Sequence, residues 1–485
     1  MSPPLISKAA ARYTGAGGKE HCSLCRHFSP RRGGRCARVL GDISPMGWCK
    51  LFSREMRGMV ADASSFNGGG GGPSLSLDFM TPGTLSPLIT FTRASTATYF
   101  DSAGVMQTAA VNAPRWDYDP ATLQLRGLLL EDQRTNGIRN SSDMSAVVPG
   151  TPGTGPVNWS YNAGTTGLTV QTIGAGVESG IPYVDIRFSG TVTAAAGTVI
   201  VQDSATAIVA ATGQAWTYSH YWRLVSGTAT GMTTSQVTIR ENTSAGALVK
   251  DNPLTIANPT SATLSGQRVS AGIALSGGAT VARVQARIAI NYANGALVDM
   301  TFRIGAPQLE LGDFATSYIP TTTVAVTRSI DSCLIPPANM GWFSGPGGSW
   351  YCEFDYFDNT PTNCRLITRP DFPGAPTPVI INASRIVGQY DSSVGVNAAN
   401  ATSINSVVKA ATTWTVGQAK SCVNGGAVAS SASAVNGYAI FATTGIRFVS
   451  CCVALHTDNC SGHIRAVRYW PAVLTDAQMQ AMTAP

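Results

Sequence analysis

Charged side chains are scarce in this sequence. Asp, Glu, Lys and Arg make up 12% of its 485 residues, about half the usual share. That argues against a long solvated helical protein, whose exposed faces need charge. The sequence also lacks any run approaching the ~18 apolar residues of a membrane span, so no membrane segment and no membrane partner is expected. Met1–Lys19 has no apolar stretch of the kind a secretory leader needs, so none is expected. No cysteine falls between Cys49 and Cys333. The eleven cysteines therefore form two groups: Cys22, Cys25, Cys36 and Cys49, then Cys333, Cys352, Cys364, Cys422, Cys451, Cys452 and Cys460. Such separation suggests two separate chemistries. The second group is odd in number, so at least one of its thiols is free or pairs between chains.

Apolar residues nonetheless reach 44%, and there are 51 glycines. A packed core can form, which argues against global disorder. Abundant Ala, Gly, Ser, Thr and Val suit close-packed strands joined by tight turns. The length exceeds what one core serves, so two to four domains are expected.

Charge is unevenly placed. Met1–Val60 holds eleven Lys or Arg against three Asp or Glu, an excess of eight, while the whole chain carries +6. A basic block can serve nucleic acid. Here cysteines interleave with the charges, and we read the block as solubilising a small domain or offsetting an anionic cluster. No nucleic-acid partner is expected. The segment reads His21-Cys22-Ser23-Leu24-Cys25-Arg26-His27-Phe28, then Arg35-Cys36, then Gly47-Trp48-Cys49. A C-x-x-C pair brings two thiolates to one centre, and two single cysteines complete four ligands. About 50 residues bury too little apolar surface to fold unaided, so a cross-link is expected. The residues leave open an iron–sulfur cluster, zinc or two disulfides. His21 and His27 are read as surface residues or as neighbours of the ligands rather than ligands, since four thiolates suffice.

These motifs, with Leu51-Phe52 after the G-W-C tripeptide, resemble high-potential iron–sulfur proteins over roughly residues 8–57. The resemblance implies a 4Fe-4S cluster held by Cys22, Cys25, Cys36 and Cys49, with Phe28, Trp48 and Phe52 shielding it from water. The gap from Cys25 to Cys36 is shorter than in those electron carriers. A structural role for the cluster is favoured over a redox one, because a cluster can fold a small domain as zinc does.

Asn67-Gly68-Gly69-Gly70-Gly71-Gly72-Pro73 reads as a flexible tether. Beyond it, Phe91-Thr92-Arg93-Ala94-Ser95-Thr96-Ala97-Thr98-Tyr99 has strand-favouring residues, and Asp101-Ser102-Ala103-Gly104 is a hairpin turn. Together with Pro114-Arg115-Trp116-Asp117-Tyr118 and the stretch Gly127–Asn136, this resembles a recurrent module of tailed-phage appendage proteins along some 45 residues. Arg93, Arg115, Asp117, Glu131 and Arg134 are read as salt-bridged turn residues rather than a catalytic cluster.

From about Ile138 to Arg328 short alternating runs recur. In Trp216–Leu224 one face carries Trp216, Tyr218, His220 and Trp222, the other Thr217, Ser219, Tyr221 and Arg223. A β-sandwich follows. The closing stretch Gly305–Gly312 with Ala315–Thr321 resembles carbohydrate-binding jelly rolls of phage fibres. In such folds aromatics can stack on sugar rings, and Trp159, Tyr161, Tyr221 and Trp222 are the candidates, weighed against filling the core. His220 is read as a hydrogen-bonded core histidine.

From about Ser329 a further unit begins, with strands at Trp350–Phe357, Val379–Ile381, Arg385–Tyr390 and Ile440–Val449. Its end, His463–Pro471 and Leu474–Gln480, resembles concanavalin- or laminin-G-like sandwiches, with Thr475 capping a short helix. Glu353 and Asp355 share a strand face and are read as solvated rather than as a glucanase pair.

The expected architecture is mainly β: a small cysteine-rich metal-cluster domain followed by tandem antiparallel β-sandwiches, jelly-roll and concanavalin-like. The expected boundaries are 1–60 for the cluster domain, 61–76 for the linker, 77–137 for the appendage module, 138–328 for the jelly roll and 329–485 for the last sandwich. The resemblances imply a non-enzymatic head or tail fibre or spike of a tailed bacteriophage, assembled in the host cytoplasm and released by lysis. Its partners would be capsid or tail proteins and a host surface polysaccharide, and its assembly a homotrimer. The alternatives are a polysaccharide-degrading tailspike enzyme, which the missing short-period repeats of a parallel β-helix disfavour, and a redox-active iron–sulfur/lectin fusion. Replacing Cys36 by Ser is expected to unfold only about the first 60 residues and to leave the sandwiches folded; limited proteolysis with thermal melting checks this.

Overall fold

Period-two alternation carries through into antiparallel pairing along most of the chain. The computed structural model describes residues 72–344, 347–357, 363–370, 377–382, 386–391, 394–415, 417–432, 441–448 and 461–485, with the backbone of 28–29 and 35–36. Of the N-terminal unit only a two-residue antiparallel pair is described, with Phe28 opposite Cys36. The expectation of a cluster on Cys22, Cys25, Cys36 and Cys49 lies outside the described residues.

Two β-sandwiches make up the second unit, Ser74–Ala484. The first is contiguous in sequence. One of its sheets runs Ser160–Asn162, Gly197–Val201, Arg283–Tyr292, Met232–Asn242, Leu248–Thr255; the other runs Thr169–Glu178, Ile181–Thr191, Leu297–Leu311, Ala215–Ser226, Arg268–Ala274. Inward residues of both sheets, among them Val184, Phe188, Trp222, Val237, Ile288 and Phe302, form one core. Strand Ala215–Ser226 divides as its alternation predicts, with Trp216, Tyr218, Trp222 and Leu224 in that core.

The second sandwich departs from the expected boundaries. One of its sheets contains Gly348–Phe354, Val408–Thr415 and Gly462–Trp470 together with Leu75–Asp78, Leu125–Leu130 and Arg115–Tyr118. The other places Thr90–Thr92 at its edge, beside Ser332–Ile335. Residues 77–137 are therefore not a layer of their own. Their strands are three to six residues long, too short to bury a core alone. Leu75, Leu77, Phe79, Trp116, Leu128 and Leu130 instead share a core with Trp350, Phe354, Phe448 and Tyr469. The first sandwich is thus an insertion in the second. Its exits, Arg134–Asn136 and Val326–Arg328, pair antiparallel as a two-stranded neck.

Local details follow turn and cap chemistry. Phe100 and Met106 close the hairpin over Gly104, whose φ of 70° suits glycine. Thr475 and Gln478 form a capping box that starts the helix Asp476–Thr483. The strand expected over 440–449 is instead a helical turn, Phe441–Thr444, followed by strand Ile446–Phe448. Gly445, at φ 74°, ends the turn and donates to the Phe441 carbonyl. Cys333, Cys352 and Cys422 are buried free thiols, and burial pushes all three up from the ordinary thiol value. No helix among the described residues is long and apolar enough to cross a membrane.

A buried ionic node sits where the insertion leaves and returns. Asp331 pairs with Arg93 at 3.1 Å and Arg115 at 2.5 Å; Glu131 pairs with Arg115 at 2.8 Å and Arg328 at 2.9 Å. Ser317 donates to Glu131 through both its backbone N–H and its hydroxyl. Spare guanidinium donors go to the carbonyls of Ser95, Ala110, Thr98 and Asp132. Burial lowers Arg93 and Arg328 from 12.5. Burial acts downward on Arg115 too, but Asp331 and Glu131 outweigh it. Removing one partner of such a group strands its charge in a dry interior. Arg115→Met is expected to cost the second unit about 3–5 kcal/mol, read as a lower urea midpoint, whereas Val209→Ala at an exposed position is expected to stay within about 0.5 kcal/mol.

Candidate functional site

The insertion creates a cleft. Along Ala215–Ser226 the residues Thr217, Ser219, Tyr221 and Arg223 point away from the first sandwich's core, and Thr217 and Tyr221 line a cavity of about 530 Å³. The remaining walls come from the hairpin and strands of residues 98–131, the returning segment 313–318, and Phe357 with Asn405 of the second sandwich. A small apolar cluster of Met106, Ile181, Tyr221, Leu264, Ala306 and Tyr318 packs the hairpin against the first sandwich beside it. Junctions between packed domains are where ligand sites recur.

The aromatic wall is backed by cations. Tyr221 meets Phe100 edge-on at 6.2 Å. Arg268 lies 5.5 Å over the Tyr221 ring and donates to the Ser219 hydroxyl at 2.8 Å. The Arg268 Nε is buried with no hydrogen-bond partner. Burial pushes the Tyr221 phenol up. Arg126 lies 5.6 Å over Phe357 and reaches Asp355 at 3.3 Å.

Three acidic groups of the cleft, Asp119, Glu131 and Asp117, are supplied with donors. Burial acts upward on Asp119, but the N–H groups of Thr122 and Ala121 and the charge of Arg126 bring it below its ordinary value. Burial also acts upward on Glu131, but Arg328, Arg115 and Ser317 hold it at about 2. Asp117 accepts from the Phe100 N–H at 2.7 Å and faces His463 Nε2 at 3.0 Å. Asp355 lies behind His463, 2.8 Å from Nδ1.

Sequence reading expected Asp355 on a solvated face. Its side chain is 2% exposed, because His463 and Arg126 cover it. Glu353 is half-buried and lies 3.7 Å from Arg465. Arg93, Arg115 and Glu131 join the ionic node, Asp117 meets His463, and Arg134 pairs with Asp132. The four aromatic candidates are not brought together. Trp159 and Trp222 lie in the first sandwich's core, and Tyr161 packs against it with its hydroxyl buried. Tyr221 alone reaches the cleft. Tyr221 and Trp222, adjacent on one strand, point to opposite faces and cannot line one site. His220 is in the core between Tyr218 and Trp222, but neither ring nitrogen has a hydrogen-bond partner. Burial pushes it down to about 3, so it stays neutral. Arg126, Arg268, Phe314, Phe357 and His463 were not singled out by sequence. They come from distant segments, and no local pattern marks them. Among the described residues no group of three or more His, Cys, Asp or Glu is placed to hold a metal ion.

No family model matches the chain. A stretch of 48 residues is 44% identical to an iron oxidase of Acidithiobacillus ferrooxidans; it is 10% of this chain and 51% of the relative, so the chain spans about half the length of the curated relative it matches. Similar solved structures include the CBM40 of a Ruminococcus gnavus IT-sialidase bound to alpha2,3 sialyllactose, at 14% identity over 29% of this chain and 84% of that one, with a TM-score of 0.25. A CBM4 structure is 16% identical, covering 32% of this chain and 96% of that one, with a TM-score of 0.20. A Trypanosoma rangeli sialidase in complex with sialic acid is 9% identical, covering 70% and 72%, with a TM-score of 0.25.

Glu131 is lowered on folding, so the stability it lends is complete above its ordinary value of 4.5 and is lost as pH falls toward about 2. Melting temperature measured across that range is expected to fall toward acid, and Glu131→Gln is expected to flatten the acid limb.

Proposed function

We propose that the chain is a non-enzymatic adhesion protein of a tailed-phage particle, a head or tail fibre or spike, whose inter-sandwich cleft takes a host surface saccharide. The observation that carries this reading is the cleft itself, where aromatic rings backed by Arg126 and Arg268 share one cavity with carboxylates that accept hydrogen bonds. Rings cover the apolar faces of sugars, and acceptors fix their hydroxyls. The phage part of the reading rests on the motif of residues 91–136. Glycoside hydrolysis needs an acid that keeps its proton until the leaving group takes it. Glu131 and Asp119 are instead held below their ordinary values by their donors and so do not suit that role.

The N-terminal segment is proposed to dock to capsid or tail proteins and to hold a 4Fe-4S cluster through Cys22, Cys25, Cys36 and Cys49. Four thiolates suit such a cluster, and the short similarity to a protein named iron oxidase accords with iron. Under this reading the cluster stiffens the segment, and the chain assembles as a homotrimer on the particle.

Full-length protein is expected to bind saccharides on a glycan array without releasing reducing ends. Arg268→Ala is expected to lower that binding about ten-fold, a loss of roughly 1.4 kcal/mol. Depolymerised polysaccharide, or binding indifferent to that substitution, overturns the adhesion reading. Anaerobically purified protein is expected to contain iron and acid-labile sulfide in equal amounts; zinc alone or no metal overturns the cluster assignment.

A further inference from the structure

His463 is fully buried, and both its ring nitrogens face carboxylates. Nδ1 is 2.8 and 3.1 Å from the two oxygens of Asp355, and Nε2 is 3.0 Å from Asp117 Oδ2. A neutral imidazole has one N–H and one lone pair, whereas an ionised carboxylate can only accept. Both contacts are hydrogen bonds only when the ring carries both protons. The charged groups facing the ring are Asp117 on strand Arg115–Tyr118, Asp355 just past strand Gly348–Phe354, and Arg126 on strand Leu125–Leu130. The Phe357 ring meets it edge-on at 5.2 Å. Burial and Arg126 act against the charge, but Asp355 and Asp117 outweigh them and hold His463 above its ordinary 6.5.

The two acids are not equally supplied. Asp355 also accepts the His463 backbone N–H at 2.9 Å and the Arg126 guanidinium at 3.3 Å. Among the described residues Asp117 has one other donor, the Phe100 N–H, and Asp117 is the one that lines the cleft. When the ring loses a proton, Nδ1–H stays with Asp355, which is the closer acid and is 2% exposed, whereas water can reach the 13%-exposed Asp117 from the cleft. The Nε2 lone pair then faces the Oδ2 lone pairs of Asp117, which loses a donor and gains a repulsion. With His463 protonated, each Asp117 oxygen accepts one internal bond and keeps a lone pair. That is the acceptor pair a vicinal diol needs.

We propose that Asp117 is the hydroxyl-accepting group of the cleft for a neutral saccharide, and that the proton on His463, a positioning residue, holds it in place, so that binding is proton-linked. This rests on the cleft being the saccharide site. Affinity is then full while His463 is protonated and falls as pH rises through its raised value.

Two measurements on the full chain test this. With histidine ring nitrogens labelled, nuclear magnetic resonance should find one of the five histidines protonated well above pH 6.5, and Asp117→Asn should lower its midpoint; a His463 that is neutral near pH 7 overturns the proposal. Calorimetric titration with malto-, cello- and galacto-oligosaccharides between about pH 6 and about pH 9 should show affinity falling about ten-fold through that same midpoint. Asp117→Asn should lose about as much at low pH while remaining folded by circular dichroism, and His463→Gln should bind with no pH dependence. Should His463→Gln not fold, the wild-type profile and Asp117→Asn still decide. Binding by none of these sugars overturns the hydroxyl-accepting role, and failure on a wide glycan array as well overturns the adhesion reading beneath it. Binding that is flat in pH while His463 titrates overturns the proton link alone.

Discussion

Five charges without solvent hold the two sandwiches in one arrangement. Arg93, Arg115 and Arg328 surround Glu131 and Asp331 at the place where the chain leaves one sandwich for the other and returns. A buried ion pair often adds little net stability over an apolar replacement of the same volume. Its geometry is nonetheless demanding, because the buried carboxylates and guanidinium groups must be placed to meet one another. Here the partners are Arg93 beside the edge strand, Arg115 on its strand, Glu131 after strand Leu125–Leu130, Arg328 in the neck and Asp331 just beyond it. Satisfying them together fixes where each of these segments runs. The neck itself offers only three paired residues on each side.

The cleft inherits its form from that arrangement. Its aromatic wall is the outer face of a sheet in the inserted sandwich, and its opposite contributions belong to the outer sandwich and to the hairpin between them. Glu131 serves both places, lining the cavity while closing the node. On the other side, His463 and Asp355 brace strand Arg115–Tyr118 within its own sheet, across the intervening strand Leu125–Leu130. Buried charge pairs beside the cavity hold part of its wall in place before binding, which lowers the ordering cost.

Much of the local structure was legible in the residues. Strand alternation placed Tyr218 and Trp222 inward and Tyr221 outward, the Asp-Ser-Ala-Gly turn closed its hairpin, and Thr475 capped its helix. These features depend on neighbours within a few positions. The insertion was not legible, because nothing in Leu75-Ser76-Leu77-Asp78 names Tyr469, Arg468, Val467 and Ala466 as its partners. The same blindness applied to Asp355. Two acids spaced by one residue suggest a wet face until a histidine more than a hundred positions away is seen to cover one of them. The cleft as a whole shares that difficulty, since its walls meet only through long-range pairing. Tyr221 was singled out for its aromatic ring, but only the pleat explains why its neighbour Trp222 cannot join it.

Insertion also imposes a schedule on synthesis. The strands of the inner sandwich, Ser160–Asn162 through Leu297–Leu311, leave the ribosome as one uninterrupted set and can pair as soon as they emerge. The outer sandwich begins earlier and finishes last: Leu75–Asp78 must wait for Ala466–Tyr469, nearly the end of the chain. Until then Leu75–Asp78 lacks its partner strand, and contacts that span so much sequence form slowly. The inner sandwich, once folded, brings Arg134–Asn136 and Val326–Arg328 side by side. It thereby shortens the effective loop that the late strands must close.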